Sequence, residues 1–165
     1  MLLDTFHDLS ALCQHCDAWR QASETLVFTN GCFDLFHAGH AVYLDEARAL
    51  GDRLIVGINS DTSVRRLKGT TRPIVPLTGR GLVLNALQSV DAVIAFESDT
   101  PIPIIQALKP DIHVKGGDYS DPTALPEYPI VSAYGGRVVL LSFLDGFSTS
   151  SIIQTIQHGP DHRGH

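Results

Sequence analysis

The stretch LVFTNGCFDLFHAGH, residues 26–40, predicts how the chain folds and where its chemistry lies. An apolar strand at its start runs into a loop with glycine and polar residues, and a helix begins near His37 and His40. The N-terminus of a helix attracts phosphate, because its first backbone N–H groups are free and its dipole is positive there. Gly31 and Gly39 let the backbone approach a ligand closely. The stretch therefore predicts an anion-binding loop between a buried strand and a helix.

Two other interpretations of these histidines stay open at this point. His37, His40 and Asp34 could hold a metal ion together, although two histidines and one carboxylate are a weak signal for a metal site. The two histidines could also be purely structural. The dinucleotide-binding fingerprint G-x-G-x-x-G does not occur in the stretch, so that class of site is not indicated. We expect a phosphate ligand and no metal held by the protein alone.

The rest of the chain continues the alternation of strand and helix. Apolar runs rich in β-branched residues, typical of strands buried on both faces, occupy residues 26–30, 53–59, 91–96, 111–116 and 137–143. Helical patterns follow at residues 40–51, 79–90, 99–110 and 149–157. The last three have start signals at Thr78, at Asp99 and Thr100 before Pro101, and at Ser148. We therefore predict an α/β fold, a doubly wound, Rossmann-like parallel sheet of about five strands.

The chain is predicted to be a single domain with short additions at its ends. Residues 1–24 form an N-terminal helical extension, residues 25–157 the domain itself, and residues 158–165 a flexible tail. A net charge of −6 argues against a nucleic-acid partner. No apolar run approaches the roughly 18 residues of a membrane span, and the N-terminus lacks the basic residues of a signal peptide. We expect a cytoplasmic protein that has no membrane partner.

Three cysteines, Cys13, Cys16 and Cys32, are expected to be free thiols in a reducing compartment. Cys13 and Cys16 form a C-x-x-C, but no second pair of ligands follows at a spacing that zinc would need. The motif lies in a helical pattern, whereas a redox motif would follow a strand. We interpret it as a helix that packs two small apolar thiols, with a zinc or thiol-redox protein as the alternative.

Residues 62–90 contain neither Asp nor Glu but hold five basic side chains: Arg65, Arg66, Lys68, Arg72 and Arg80. On an acidic protein such a patch suits a small anionic ligand, because close charge pairs matter more than net charge across a screened surface. An ordinary solvated face is the alternative. The centre of the patch, KGTTRPIVP at residues 68–76, contains glycine and prolines. We expect residues 65–80 to form a mobile flap that closes over the ligand.

The pattern GCFDLFHAGH, residues 31–40, resembles the signature of the cytidylyltransferase-like nucleotidyltransferases. Residues 58–77, 108–119 and 145–153 resemble one branch of that superfamily, the D-glycero-β-D-manno-heptose 1-phosphate adenylyltransferases, so the resemblance spans about residues 25–157. It implies transfer of AMP from ATP, with Mg²⁺, to a sugar 1-phosphate, giving ADP-heptose and pyrophosphate for the lipopolysaccharide core. Many relatives carry a fused sugar kinase, so we expect a separate kinase to supply the substrate here, and we expect a homodimer. The alternatives are a cytidylyltransferase for a polyol phosphate such as glycerol 3-phosphate and a non-catalytic nucleotide-binding module.

The resemblance also implies roles for individual residues. The implied catalytic residues are His37, His40, Lys115 and Arg80. The implied nucleotide contacts are Thr29, Gly31, Cys32, Phe33, Gly39, Asn59, Lys68, Ser148, Thr149 and Ser150. The implied acceptor contacts are Asp34, Arg72, Gly116, Gly117 and Asp118. Cys32 stands where distant relatives carry threonine, which leaves only a backbone N–H for the nucleotide there.

The residue types agree with this chemistry on physical grounds. A sugar phosphate has a second pKa near 6, so it is mostly a dianion at neutral pH and needs no general base to attack phosphorus. Catalysis then depends on positioning and on charge stabilisation, which histidines, cations, hydroxyls and helix N-termini supply. Mg²⁺ is expected on the β- and γ-phosphates, where substrate oxygens and water supply its ligands.

Overall fold

Five parallel strands form one sheet in the structure, a computed structural model that describes residues 8–117 and 119–159. The strands are β1 (Leu26–Gly31), β2 (Arg53–Asn59), β3 (Ala92–Phe96), β4 (Ile112–Gly116) and β5 (Arg137–Leu141). Their order is β3-β2-β1-β4-β5, with all four pairings parallel. The strand order therefore changes direction between β1 and β4. Open α/β folds bind ligands at such a topological switch point. The predicted fold class is confirmed.

Helices cover both faces of the sheet. They are α1 (Leu9–Gln21), α2 (Ala38–Arg48), α3 (Asp61–Lys68), α4 (Leu77–Asn85), α5 (Ile102–Leu108), α6 (Tyr128–Ala133) and α7 (Thr149–His158), and a 3-10 turn covers Pro122–Ala124. The core on one face takes its helical residues from α1, α5 and α6, and the core on the other face takes them from α2 and α4. No helix in the described part of the chain is long and apolar enough to cross a membrane.

The structure changes several predicted helix boundaries. Helices α3 and α6 were not predicted, because they are short and depend on local caps and on packing; the Ser60 side chain caps α3 by accepting from Ser63 N. Helix α4 begins after Pro76, so Thr78 lies inside it and does not cap it. Helix α5 likewise begins after Pro101 and has no side-chain cap. The predicted cap at Ser148 is confirmed, and Ser148 forms a capping box with Ser151.

The predicted packing role of the C-x-x-C motif is confirmed. Cys16 is buried in the core beneath α1, and burial raises the pKa of its thiol to about 11. Cys13 packs against the same core, and its sulfur contacts the carbonyl of Ala107. Within residues 8–117 and 119–159, no cluster of three His, Cys, Asp or Glu side chains could hold a metal ion. Both thiols therefore serve the attachment of α1 to the sheet.

Aspartates fix the amino ends of the strands, opposite the predicted site. The carboxylate of Asp111 accepts from Leu26 N at 2.7 Å, and that of Asp91 accepts from Leu54 N at 2.8 Å. Arg53 links Asp91 to Glu24 through ion pairs of 3.0 and 2.8 Å. The carboxyl ends of the strands are left free to carry the site. Residues 1–7 of the predicted N-terminal extension and residues 160–165 of the predicted tail lie outside the described residues.

Candidate active site

A cleft of about 670 Å³ opens at the carboxyl edge of the sheet. It lies over the ends of β1, β2 and β4, which is the expected place for a ligand in this topology. Twelve of the predicted site residues line it: Gly31, Cys32, Phe33, Asp34, His40, Asn59, Lys68, Arg72, Lys115, Gly116, Thr149 and Ser150. The structure thus brings together residues from four separate parts of the sequence. Predicted residue Asp118 lies outside the described residues.

His37 and His40 form a stacked pair at the start of α2. His37 is the N-cap residue, and the two ring centroids are 3.8 Å apart with an angle of 20° between the planes. Burial lowers the pKa of His40 to about 4, aided by the neighbouring His37, and burial also lowers the pKa of His37. Both Nδ1 atoms are buried and have no hydrogen-bond partner among the described residues. The lowered pKa values favour the neutral form of both rings in the free protein, and each ring has a nitrogen that no described residue binds.

The loop before this helix is held in an uncommon conformation. Phe33 and Leu35 both have a φ of +49°, in the left-handed region that side chains other than glycine rarely adopt. A Cβ on Gly39 would lie 3.0 Å from the His37 ring and 3.3 Å from the Cβ of Phe147. A side chain at position 39 would therefore fit only if the His37 ring or Phe147 shifted. The backbone strain at Phe33 and Leu35 persists only where the surrounding structure holds it, and strain of this kind is concentrated at functional sites.

Asp34 holds this loop in place through hydrogen bonds. This role differs from the predicted one, a contact with the acceptor substrate. Its carboxylate is fully buried and accepts from Arg72 Nε at 2.6 Å, Ile74 N at 2.8 Å and Val75 N at 2.9 Å. Burial by itself raises the pKa of this carboxyl, but the three donors lower it below the usual value. Asp34 therefore ties the signature loop to residues 72–75 and presents Arg72 to the cleft.

Arg80 differs from its predicted contact with the triphosphate. It is 2% exposed and does not line the cleft. Its guanidinium donates to the carbonyls of Val75, Cys32 and Asn59 at 3.0, 2.5 and 2.9 Å, and it also pairs with the Asp61 carboxylate at 2.8 Å. Sequence reasoning placed a basic residue near phosphate, but this side chain is used to bind backbone carbonyls of the loops that form the site.

The other basic side chains of residues 62–90 differ in their contacts. Arg66 forms an ion pair with Asp99 at 2.9 Å and also donates to the carbonyl of Glu97. Lys68 and Arg72 line the cleft. Residues 65–68 belong to helix α3, and Asp34 holds residues 72–75, so the segment is not one continuous flap as predicted. Residues 69–71 between them are exposed.

Helix α7 begins beside helix α2, so two helix N-termini face the same cleft. The Thr149 hydroxyl donates to the Asp34 carbonyl at 2.8 Å, which joins the start of α7 to the signature loop. Thr149 and Ser150 both line the cleft. Two helix N-termini together with a histidine pair make a strong binding site for phosphate oxygens, because their N–H groups donate to those oxygens.

The β4 side of the cleft, formed by lining residues 115–127 together with Phe143, carries a different chemistry. Lys115 lies 3.4 Å from Glu127, whose side chain is 3% exposed. Sequence reasoning missed Glu127, because a lone glutamate between two prolines in an irregular segment gives no motif signal. A Cβ on Gly116 would lie 2.6 Å from the Phe143 ring, so glycine is required for this aromatic wall.

Three of the predicted nucleotide contacts, Thr29, Gly39 and Ser148, do not line the cleft and instead support the structure around it. Thr29 is fully buried beneath the cleft, with its hydroxyl 2.6 Å from that of Tyr43 and 3.0 Å from the Val114 carbonyl. Gly39 and Ser148 support the two helix starts and do not line the cleft themselves. Asn59 both lines the cleft and donates to the Ser63 hydroxyl at 3.0 Å.

Comparisons with known proteins found a matching family model and similar curated proteins. The family model described as cytidylyltransferase-like matches residues 28–154. The chain is 56% identical over 142 residues to the Bifunctional protein HldE of Alkalilimnicola ehrlichii, covering 86% of this chain and 30% of that protein. It is 55% identical over 140 residues to the Bifunctional protein HldE of Methylococcus capsulatus, covering 85% of this chain and 30% of that protein. The chain thus spans about 30% of the length of these curated relatives.

A solved structure has the same fold. The lipopolysaccharide core biosynthesis protein from Thermoplasma volcanium superposes with a TM-score of 0.60 and 29% sequence identity. The match covers 73% of this chain and 97% of that one. The sheet and the cleft described above therefore belong to a known architecture.

Proposed function

Because the chain belongs to the cytidylyltransferase-like family, we propose that it transfers AMP from ATP to D-glycero-β-D-manno-heptose 1-phosphate, giving ADP-heptose and pyrophosphate. The observation that carries the proposal is the stacked pair of His37 and His40 at the start of α2, because His40 lines the same cleft as Thr149 and Ser150 at the start of α7. The heptose substrate is supported by the resemblance of residues 58–77, 108–119 and 145–153 to that branch of the superfamily. The similar Thermoplasma protein is named for lipopolysaccharide core biosynthesis, which supports the same pathway class.

In this mechanism the sugar phosphate attacks the α-phosphorus of ATP, and pyrophosphate leaves from the opposite side. The attacking dianion needs no general base. His37, His40 and the starts of α2 and α7 bind the phosphate oxygens on which negative charge increases in the transition state. Lys115 lines the same cleft and holds a second anionic oxygen, while Lys68 and Arg72, which also line it, neutralise the triphosphate. These groups position the reactants, and none of them forms a covalent intermediate.

We propose that ATP is bound as its Mg²⁺ complex. The acidic side chain of the signature loop, Asp34, already accepts hydrogen bonds from three donors in residues 72–75. No cluster of three metal-ligating side chains occurs in the described parts of the chain. The phosphate oxygens and water are therefore the ligands that suit the ion, as Mg²⁺ usually retains several waters.

Three further features remain proposals. A sugar kinase, whether a separate chain or part of a longer protein, has to supply the sugar 1-phosphate. We propose that the protein acts in the cytoplasm, because ATP is available there. The predicted homodimer is supported by large apolar side chains that stay exposed in the segment between β5 and α7 and on α7 itself: Leu144, Phe147 and Ile156.

A matrix of nucleotides and acceptors tests the proposal. ATP and CTP are each combined with heptose 1-phosphate, with a hexose 1-phosphate and with glycerol 3-phosphate, and pyrophosphate release is measured. We expect turnover with ATP and heptose 1-phosphate, and none from a variant carrying both His37→Ala and His40→Ala. A preference for CTP with glycerol 3-phosphate would identify a polyol cytidylyltransferase. Nucleotide binding without pyrophosphate from any pair would identify a non-catalytic module.

A further inference from the structure

A buried carboxylate on the β4 side of the cleft has no part in the mechanism above. Glu127 is 2% exposed and lines the cleft. One carboxylate oxygen, Oε1, lies 3.4 Å from Lys115 Nζ, while Oε2 is buried and accepts no hydrogen bond from any described residue. A buried carboxylate oxygen without a donor is costly, and buried polar atoms of this kind usually have a partner. In a ligand cleft, the missing donor is one that the ligand can bring.

The bond to Lys115 is loose enough to exchange. At 3.4 Å it is longer than the roughly 2.7–2.9 Å of a strong charge-assisted bond. The Lys115 side chain is 20% exposed and lines the cleft, so its ammonium group can turn towards the phosphate oxygen of a substrate. Glu127 then loses its cation and becomes an unpaired buried charge, which is strongly unfavourable unless new donors replace it.

The surroundings select the kind of donor that can replace Lys115. The other described lining residues of the β4 side contribute no second cation; they include Tyr119, Leu125 and Phe143. A phosphate would be repelled by the carboxylate. A neutral ring with neighbouring hydroxyl groups offers two O–H donors to one carboxylate and an apolar face to the aromatic wall.

We propose that Glu127 is a specificity-determining residue that accepts hydrogen bonds from neighbouring hydroxyl groups of a substrate sugar ring once Lys115 binds phosphate. The inference rests on the proposed function, which brings two such rings into the cleft, the ribose of ATP and the heptose of the acceptor. Either ring has the required chemistry. The exchange couples the two contacts, because a substrate that takes Lys115 without supplying hydroxyls leaves the carboxylate unpaired.

Binding measurements test the inference without relying on turnover. Calorimetry compares wild type with Glu127→Gln, which keeps the side-chain volume and removes the charge, and with Glu46→Gln, a control at an exposed position on α2. The ligands are ATP, 2′-deoxy-ATP and 3′-deoxy-ATP, and then heptose 1-phosphate in the presence of a non-hydrolysable ATP analogue. We expect Glu127→Gln to weaken the binding of one sugar ring by about 10- to 100-fold. Glu46→Gln should bind like wild type.

The different ligands show which sugar ring contacts Glu127, the ribose of ATP or the heptose of the acceptor. If it is the ribose, wild type prefers ATP over a deoxy form, and Glu127→Gln loses that preference. If it is the acceptor, ATP binding is unchanged and only heptose 1-phosphate binds more weakly. If Glu127→Gln does not fold, the double variant Lys115→Met with Glu127→Leu is compared with Lys115→Met alone. The further loss that Glu127→Leu causes then tests the same contact without the contribution of Lys115.

Wild-type affinities of a folded Glu127 variant for both substrates would overturn the inference, even when the enzyme turns over normally. If the wild-type protein turned over none of the sugar phosphates, the proposed function would be rejected instead.

Discussion

The imidazole rings of His37 and His40 lie face to face, with centroids 3.8 Å apart, at the start of the helix that follows the first strand. Two positive charges at that distance would repel each other, so the pair is suited to share a substrate anion only when at least one ring is neutral. This relationship connects the packing of the signature loop to the pH dependence and the rate of the reaction.

Replacing either histidine should slow the reaction and leave the fold intact. His37→Ala and His40→Ala are each expected to lower kcat by about 10²–10³-fold, the usual loss when one preorganised transition-state donor is removed. Steady-state pyrophosphate release measures the rate, and circular dichroism checks folding. His158→Ala, at an exposed position on α7, is the control. A variant that keeps the wild-type kcat would show that its histidine is structural.

ATP binding should take up protons near pH 6. Burial lowers the pKa of His40 to about 4 in the free protein, whereas a bound triphosphate favours the charged ring and raises that pKa. The bound state then holds more protons than the free state, so affinity should rise as pH falls from 7 towards 5. Calorimetry in buffers of different ionisation enthalpy counts these protons. The His40→Ala variant should take up fewer, and equal uptake by wild type and variant would contradict this role.

A second buried histidine should control stability at mild acid. His113 is fully buried, and burial lowers its pKa to about 4, while both ring nitrogens have no partner among the described residues. The unfolded chain binds a proton near pH 6.5, so stability is present above that pH and is lost as pH falls towards 4. His113 alone should contribute about 2 kcal/mol to the loss between pH 7 and 5, in addition to a contribution from His40, whose pKa burial also lowers to about 4.

Urea unfolding at these two pH values tests this role. His113→Leu should flatten the pH dependence and leave stability at pH 7 unchanged or higher, because it removes two unsatisfied polar atoms. The exposed control His158→Leu should keep the wild-type slope. If His113→Leu keeps it as well, another group is responsible.

Asp34→Asn should loosen the site without removing any group that contacts substrate. The change weakens three bonds to residues 72–75 and should lower the free energy of unfolding by about 2 kcal/mol. Trypsin should cut first after Lys68, next to the exposed Gly69, because Arg66 is held in α3 and Arg72 precedes proline.

Limited digestion provides the measurement. MgATP should slow cleavage after Lys68 in wild type, and Asp34→Asn should speed it several-fold in the free protein. Asp45→Asn, on the exposed face of α2, is the control. Equal cutting with and without saturating nucleotide would mean that residues 69–71 do not respond to the ligand.

Lys115→Ala should impair use of the sugar phosphate more than binding of ATP. Lys115 lies at the carboxyl end of β4 and lines the same cleft as His40. The expected pattern is a raised KM for heptose 1-phosphate with ATP affinity changed less than about threefold, with exposed Arg137→Ala as the control. A large loss of ATP affinity with an unchanged KM for the sugar phosphate would assign Lys115 to the nucleotide.

The strands and the phosphate-binding loop could be predicted from the sequence because their signals are local. Continuous β-branched runs specify buried parallel strands, and the loop from Gly31 to His40 combines glycine, histidine and a helix start within ten residues. Helices α3 and α6 gave no such signal, since helices of eight and six residues depend on caps and packing.

The partners of charged residues could not be predicted in this way. The family resemblance implied that Asp34 and Arg80 contact a ligand, but the hydrogen bonds of both side chains join loops. Glu127 showed the reverse error, because an isolated glutamate in the sequence lies in the cleft once the chain is folded. Which atoms a charge meets depends on contacts between distant segments, and no local pattern records them.

The buried guanidinium of Arg80 joins the loops after β1 and β2 to the start of α4. A genetic screen for inactive variants would therefore recover changes at Arg80 together with changes at the histidines, although Arg80 does not line the cleft. Its variants would differ in one respect: they would be scarce in cells because the protein is degraded, whereas histidine variants would accumulate to normal levels. Measuring abundance beside activity in such a screen would separate residues that perform the reaction from a residue that keeps its parts assembled.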